Sequence, residues 1–207
     1  MDSVRKIHVK HFPKILFVIL TQLYNYCLST GYYPIRFKLG IMILIPKPGK
    51  DPSNPENYRP ITLLSILGKT FGKIMNRRFV RHMQERALYN SLQYGFRKGR
   101  GTTSSLALIY ETIACAKGKP DEHHKVSIIS TDISGAFDRV WHEKLVVLLH
   151  KLHLPDLFIK TFANYLKDRK ICIKINNYLG PAFTPLGGCH KVPPNPQTFL
   201  MLLPSRF

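Results

Sequence analysis

Residues Val126 to Thr131 form a short, apolar, β-branched run that ends directly on Asp132. Such a run reads as a buried strand. Gly135 follows, where a backbone can approach a ligand closely. A carboxylate at the mouth of a buried strand constrains the fold, because burying an ionised group is costly unless it is paired or bound to a metal. Two arrangements satisfy that demand. Asp132 is either a hydrogen-bonded structural residue or a ligand for a hard cation such as Mg²⁺. Two such ions can clamp both oxygens of a phosphoryl displacement.

The rest of the chain narrows the partner. Lys and Arg number 31 against 12 Asp and Glu, a net charge of +19. That imbalance predicts attraction to polyanions, nucleic acid first and anionic membrane second. A merely basic, ribosome-like soluble surface is the plain alternative. A hydrophobic content of 44% argues against disorder throughout, and 207 residues suffice for one sizeable core or one domain plus an extension. Cys27, Cys115, Cys172 and Cys189 lie far apart, with neither zinc-ligand spacing nor a disulfide framework. A reducing, intracellular setting, nucleus or cytoplasm, fits them. The histidine pairs His8/His11, His123/His124 and His150/His153 have no cysteine or carboxylate at ligand spacing and read as surface residues. The apolar segment Ile15 to Leu20 is too short to span a bilayer, which takes about 20 apolar residues, and no cleavage site follows it. It reads as part of an amphipathic helix over Pro13 to Ser29, with Gly31 past its end.

Leu39 to Pro46 is an apolar run stopped at a proline and reads as a strand. Lys47-Pro48-Gly49-Lys50-Asp51-Pro52 is a turn-rich loop, and Arg59 is held extended before Pro60. Cations on such a stiff loop pair could grip a triphosphate, Lys as a point charge and Arg as a fork. Thr62 to Ala87 reads as a long helix, with Leu63, Leu67, Phe71, Ile74, Met75, Phe79 and Met83 facing a core. Arg77, Arg78 and other cations crowd its remaining surface. Between Leu44 and Arg100 there are 12 Lys or Arg and 3 acids, a balance suited to a phosphate backbone. The segment Gln93 to Thr103 mixes aromatics, glycines, Arg97, Lys98 and Arg100, a composition suited to base stacking beside phosphate contacts. Thr102 or Thr103 caps a helix over Ser104 to Ala116, with Leu106, Ile109 and Ile113 inward. A helix running to about Leu152 and another from Asp156 to Leu166 follow. Lys170 to Ile175 and Tyr178 to Phe183 then form a hairpin across Asn176-Asn177.

Asp132-Ile133-Ser134-Gly135-Ala136-Phe137-Asp138 closely resembles the first catalytic motif of reverse transcriptases from non-LTR retrotransposons, the jockey-like group above all. Three more segments resemble the same family: Ile45 to Pro52, Tyr58-Arg59-Pro60-Ile61 and Gln93 to Thr103. The resemblance implies an α/β (α+β) fold, the fingers and partial palm of a right-hand polymerase with an incomplete antiparallel palm sheet. It implies RNA-directed DNA synthesis, with RNA template, DNA primer and deoxynucleoside triphosphate as partners and Mg²⁺ as cofactor. It places the metals on Asp132, the triphosphate on Lys47 and Arg59, and the sugar-selecting gate on Phe137. Template and primer fall to the segment holding Arg97, Lys98 and Arg100.

The family pattern covers residues 13 to 188 and then stops. A two-metal clamp needs further carboxylates, and no Asp or Glu follows Asp168. Asp156 is expected to cap a helix and Asp168 to sit in a turn. The family's next motif, Gly-Val-(Pro/Ser)-Gln-Gly-Ser, is replaced by Gly188-Cys189-His190-Lys191-Val192-Pro193. Codons for those six residues, read one nucleotide earlier, permit the missing motif. A frameshift just upstream of Cys189 is therefore expected, with a true divergent tail as the plain alternative, and the coding DNA decides between them. The expected division is a helical extension over 1–35, a partial reverse transcriptase domain over 36–188 and an irregular tail over 189–207. The expected activity of such a chain is negligible, because one carboxylate does not hold two ions. A non-catalytic RNA- or DNA-binding remnant is the alternative, and a basic membrane-surface protein the weakest reading.

Overall fold

The computed structural model describes Val4 and residues 6–117, 126–133 and 140–185. A short helix α1 (Lys6–Lys10) leads into α2 (Lys14–Thr30) and a single turn, α3 (Ile35–Lys38). Strands β1 (Leu39–Pro46) and β2 (Tyr58–Leu63) follow, then helices α4 (Ile66–Glu85) and α5 (Thr102–Lys117). After α6 (His142–Lys151) and α7 (Asp156–Leu166), the hairpin β3 (Lys170–Ile175) and β4 (Tyr178–Phe183) ends the described chain. Among the described residues no helix is long and apolar enough to cross a membrane.

The four strands make one sheet in the order β2-β1-β3-β4. Its outer pairs are antiparallel and its central pair, β1 with β3, is parallel. The expected antiparallel sheet is thus mixed, because β3 reaches β1 only after a long helical crossover, and such a connection permits parallel pairing. Pro60 is tolerated inside β2 because β2 is an edge strand and loses no ladder bond on its open side.

The core lies in the helices beside the sheet. Phe71, Met75, Phe79 and Met83 repeat every four residues along α4 and are buried. They meet Tyr24, Cys27 and Leu28 of α2, Leu145, Leu148 and Leu149 of α6, and Phe158, Ile159, Phe162 and Leu166 of α7. Helix α4 begins later than its periodicity suggests. Thr62 and Leu63 pair with Met42 and Ile41 in the sheet, and the Ser65 hydroxyl accepts from the Gly68 amide at 2.9 Å, which caps the helix at Ile66. Similarly, Asp156 lies in the first turn of α7 rather than at its cap, which is Pro155.

Two sequence expectations fail, for related reasons. Helix α5 forms, but Leu106 and Ile109 point to solvent at 64% and 42% exposure, Ile113 is half-buried, and the helix buries none of its residues. Residues 126–133 are irregular and exposed instead of a buried strand, with Ile129 at 89% exposure. Periodicity marks an apolar face but does not supply the element that covers it, and a strand needs a neighbour for its backbone groups.

Helix α2 ends as expected. Gly31 is left-handed at φ +70°, and its amide donates to the Cys27 carbonyl. A side chain there is strained by its φ and also crowds the Lys160 methylenes, with Cδ 2.6 Å from an added Cβ. Gly31→Ala is therefore expected to cost about 1–2 kcal/mol, read as a lower urea midpoint with an unchanged slope. An unchanged midpoint would show that the left-handed cap is not holding the turn.

Candidate nucleic-acid interface

The β1–β2 hairpin brings two of the predicted cations together. Pairing of Ile45 with Arg59 and Pro46 with Tyr58 is extended by a Lys47 amide bond to the Asn57 carbonyl at 2.7 Å. Lys47 and Arg59 therefore lie diagonally on one face of the hairpin, at the end closed by its loop. The loop between them is stapled by its own polar groups. Asp51 accepts from the Ser53 amide, Asn54 accepts from the Glu56 amide, and Asn57 donates to the Asp51 carbonyl, each at 2.9 Å. The Tyr58 hydroxyl donates to the Pro52 carbonyl at 3.0 Å. Lys47 Nζ donates to the Glu56 carbonyl at 2.8 Å, one of the three bonds an ammonium makes. Arg59 is exposed.

A second group is built in the loop after α4. Arg97 donates from Nη1 to the carbonyls of Asn90 at 2.8 Å and Gln93 at 3.3 Å, with its guanidinium 4.7 Å from the Tyr89 ring centroid. Arg100 donates from Nη1 to the Ser91 carbonyl and lies over the Tyr94 ring. Burial pushes the Tyr89 hydroxyl pKa up, and the Arg97 charge pulls it partly back. These two arginines, expected as nucleic-acid contacts, hold the loop closed through these bonds. The structure thereby displays Phe96, left-handed at φ +57° and 56% exposed, beside the exposed Lys98.

Helix α4 links the two groups. Lys73, Arg77 and Arg81 recur every four residues, and with Arg78 all are exposed. Among the described residues, the ion pair on this helix is Arg81 to Glu85 at 2.7 Å, an exposed i,i+4 contact that raises the Arg81 pKa. The core residues Phe71, Met75 and Phe79 occupy the other side, so the cations are set on a rigid rod rather than a loop.

Asp132 is placed differently from its expectation. It stands exposed on irregular chain, and Phe137 lies outside the described residues. Among the described residues no three His, Cys, Asp or Glu side chains gather at metal-binding distance. The described residues by themselves do not make up a two-metal centre. Sequence reasoning missed two cations, Lys38 and Arg169, that are almost fully buried. No local pattern marks them, since the partners that cover them, the Lys167 carbonyl for Lys38 and the Tyr165 ring for Arg169, are set by the tertiary fold.

Residues 45–187 match the family model described as reverse transcriptase (RNA-dependent DNA polymerase). The chain belongs to the reverse transcriptase family. Among its relatives is a probable RNA-directed DNA polymerase from transposon BS of Drosophila melanogaster, 32% identical over 86% of this chain and 19% of that protein. The corresponding probable polymerase of the X-element of the same species is 31% identical over 85% of this chain and 19% of its own length. The polymerase of mobile element jockey from that fly is 28% identical over 82% and 18%, respectively. The chain thus spans about a fifth of the length of these reverse transcriptases. Described helices and a mixed four-stranded sheet agree with an α/β fragment of the family's polymerase domain.

Proposed function

We propose that the chain is the fingers and part of the palm of a mobile-element RNA-directed DNA polymerase, and that alone it binds nucleic acid without synthesising DNA. The observation that carries this is the exposed basic row on α4, in which Lys73, Arg77 and Arg78 have no acid in salt-bridge range among the described residues. A rigid, exposed row of cations suits a phosphate backbone, where each contact releases condensed counterions. Lys47 and Arg59 are proposed to neutralise the triphosphate of an incoming nucleotide from the hairpin face they share. Phe96 and the ring-stacked arginines of the following loop are proposed to lie along the strands. Asp132 is proposed as the metal-binding residue of the family's first motif, with Phe137 as the sugar gate. Mg²⁺, when bound in a complete polymerase, stabilises the charge of phosphoryl transfer.

The 207-residue chain has Asp132 without a carboxylate partner after Asp168, so the expected result of a primer-extension assay is no template-dependent incorporation with Mg²⁺ or Mn²⁺. Incorporation that disappears in Asp132→Ala would overturn this reading. The reading of a binding-only remnant is favoured over a membrane-surface protein by where the cations sit. They cluster on α4 and its flanking loops rather than along the apolar helix α2, which holds one lysine at its start.

A further inference from the structure

Helix α2 is apolar on both of its sides. Tyr24, Cys27 and Leu28 are buried in the core it shares with α4, α6 and α7. On the opposite side Ile15, Val18, Ile19 and Tyr26 stand 62%, 50%, 50% and 63% exposed, with Gln22 exposed among them. A helix that is hydrophobic all round belongs in an interior, yet this side faces solvent.

The outer side has the pattern of a helix–helix seam. Ile15, Ile19, Gln22 and Tyr26 follow one another by steps of four, three and four, the spacing that keeps one stripe turned toward a partner helix. A single polar residue in such a seam fixes its register. Gln22 is that residue, and it is also the middle residue of α2 (Lys14–Thr30). A glutamine amide both donates and accepts, so Gln22 is complementary to a copy of itself across a two-fold axis.

Charge selects the partner and the direction. The chain carries +19, so two copies repel one another over most of their surface. Helix α2 has one cation, Lys14 at its first residue, and no acid. Its last turn has no basic residue, although the helix dipole favours a cation there. In an antiparallel pair, Lys14 of each copy arrives at that bare end of the other. A parallel pair would set the two lysines side by side. A bilayer fits this face less well. Helices that lie on membranes are rich in Lys and Arg, and Gln22 would enter lipid without a partner.

We propose that α2 is a self-association surface, on which two copies of the chain pair antiparallel about Gln22, with Val18 and Ile19 beside Tyr26 of the second copy. The surface uses neither Asp132 nor the cations of α4, so it stands apart from the polymerase reading.

The test is sedimentation equilibrium of the whole chain over a concentration series, after nuclease treatment so that no nucleic acid bridges the copies. The expected result is a monomer–dimer equilibrium whose affinity falls about tenfold or more in Ile19→Asp, a change that sets a carboxylate in the seam of each copy. Ile19 lies outside the buried core, so the circular dichroism of the variant is expected to match the parent. Direction is read by oxidation in a Cys115→Ser/Cys189→Ser background, in which Cys27 and Cys172 are buried. Gln22→Cys is expected to give a disulfide-linked dimer. Ile15→Cys is not, because antiparallel pairing holds its two copies roughly 21 Å apart, beyond the reach of a disulfide. A chain that stays monomeric at every concentration overturns the proposal. So does a dimer that Ile19→Asp leaves intact, or a disulfide that forms as readily in Ile15→Cys as in Gln22→Cys. Vesicles of neutral phosphatidylcholine that bind the parent but not Ile19→Asp assign the face to a membrane and overturn it as well.

Discussion

Replacing Phe71 with alanine is expected to remove about 3–5 kcal/mol of stability, a large part of the roughly 5–15 kcal/mol a domain has in total. Phe71 is fully buried at the junction of three elements. Its ring stacks on Tyr24 of α2 with centroids 5.2 Å apart, and it tilts against Tyr33 at 5.0 Å. Tyr33 in turn contacts Tyr165 of α7 at 4.8 Å and Phe37 of α3 at 6.4 Å. Two of these rings are also tied to α4. The Tyr24 hydroxyl donates to the Leu67 carbonyl at 3.0 Å, and the Tyr33 hydroxyl to the Gly68 carbonyl at 3.4 Å. Burial raises the Tyr33 pKa far above its usual value, so the hydroxyl stays a donor. Those anchors limit collapse around the missing ring, which is why the cavity term adds to the lost transfer term. Urea unfolding checks this through the midpoint at constant slope. A loss below about 1 kcal/mol, the size of an ordinary substitution, would show that the ring is not clamped between α2, α4 and α7.

The second large effect is in nucleic-acid binding. With about six phosphates neutralised, affinity falls on the order of 10³-fold between about 50 mM and 200 mM salt. Arg77→Gln/Arg78→Gln is expected to flatten the plot of log affinity against log salt by about two units, one per lost phosphate contact. Both side chains are exposed on the solvent side of α4, so stability is expected to stay within about 0.5 kcal/mol of the parent. Asp132→Ala is expected to leave the slope unchanged, because it removes no cation. Filter binding or fluorescence anisotropy over a salt series reads all three chains. An unaltered slope in the double variant would remove α4 from the interface.

The family-like and basic motifs could be read as text, but their arrangement could not. Lys47 and Arg59 share a face only because the register sets Ile45 against Arg59, although the apolar run before Pro46 already foretold the strand. Arg97 and Arg100 read as free phosphate contacts, yet carbonyls of Asn90, Gln93 and Ser91 take part of their donor capacity. No spacing rule announces a cation that holds its own loop. Asp132 stood out through the motif that begins with it. Its environment was not, since a strand's burial depends on neighbours that the run at Val126 to Thr131 does not contain.

Local chemistry alone determined the β3–β4 hairpin, where Asn176 takes φ +53° as its sequence position demands. It likewise determined the end of α2 at Gly31 and the four-residue stripe that α4 buries. Each depends on backbone preference or periodicity within a few residues. Tertiary structure decided which apolar faces were covered: α2, α6 and α7 close on α4, while α5 and residues 126–133 remain bare. It also set Leu39 opposite Lys170, because parallel pairing joins strands that lie far apart along the chain. Burial is a property of such pairings, and no window of sequence contains both partners.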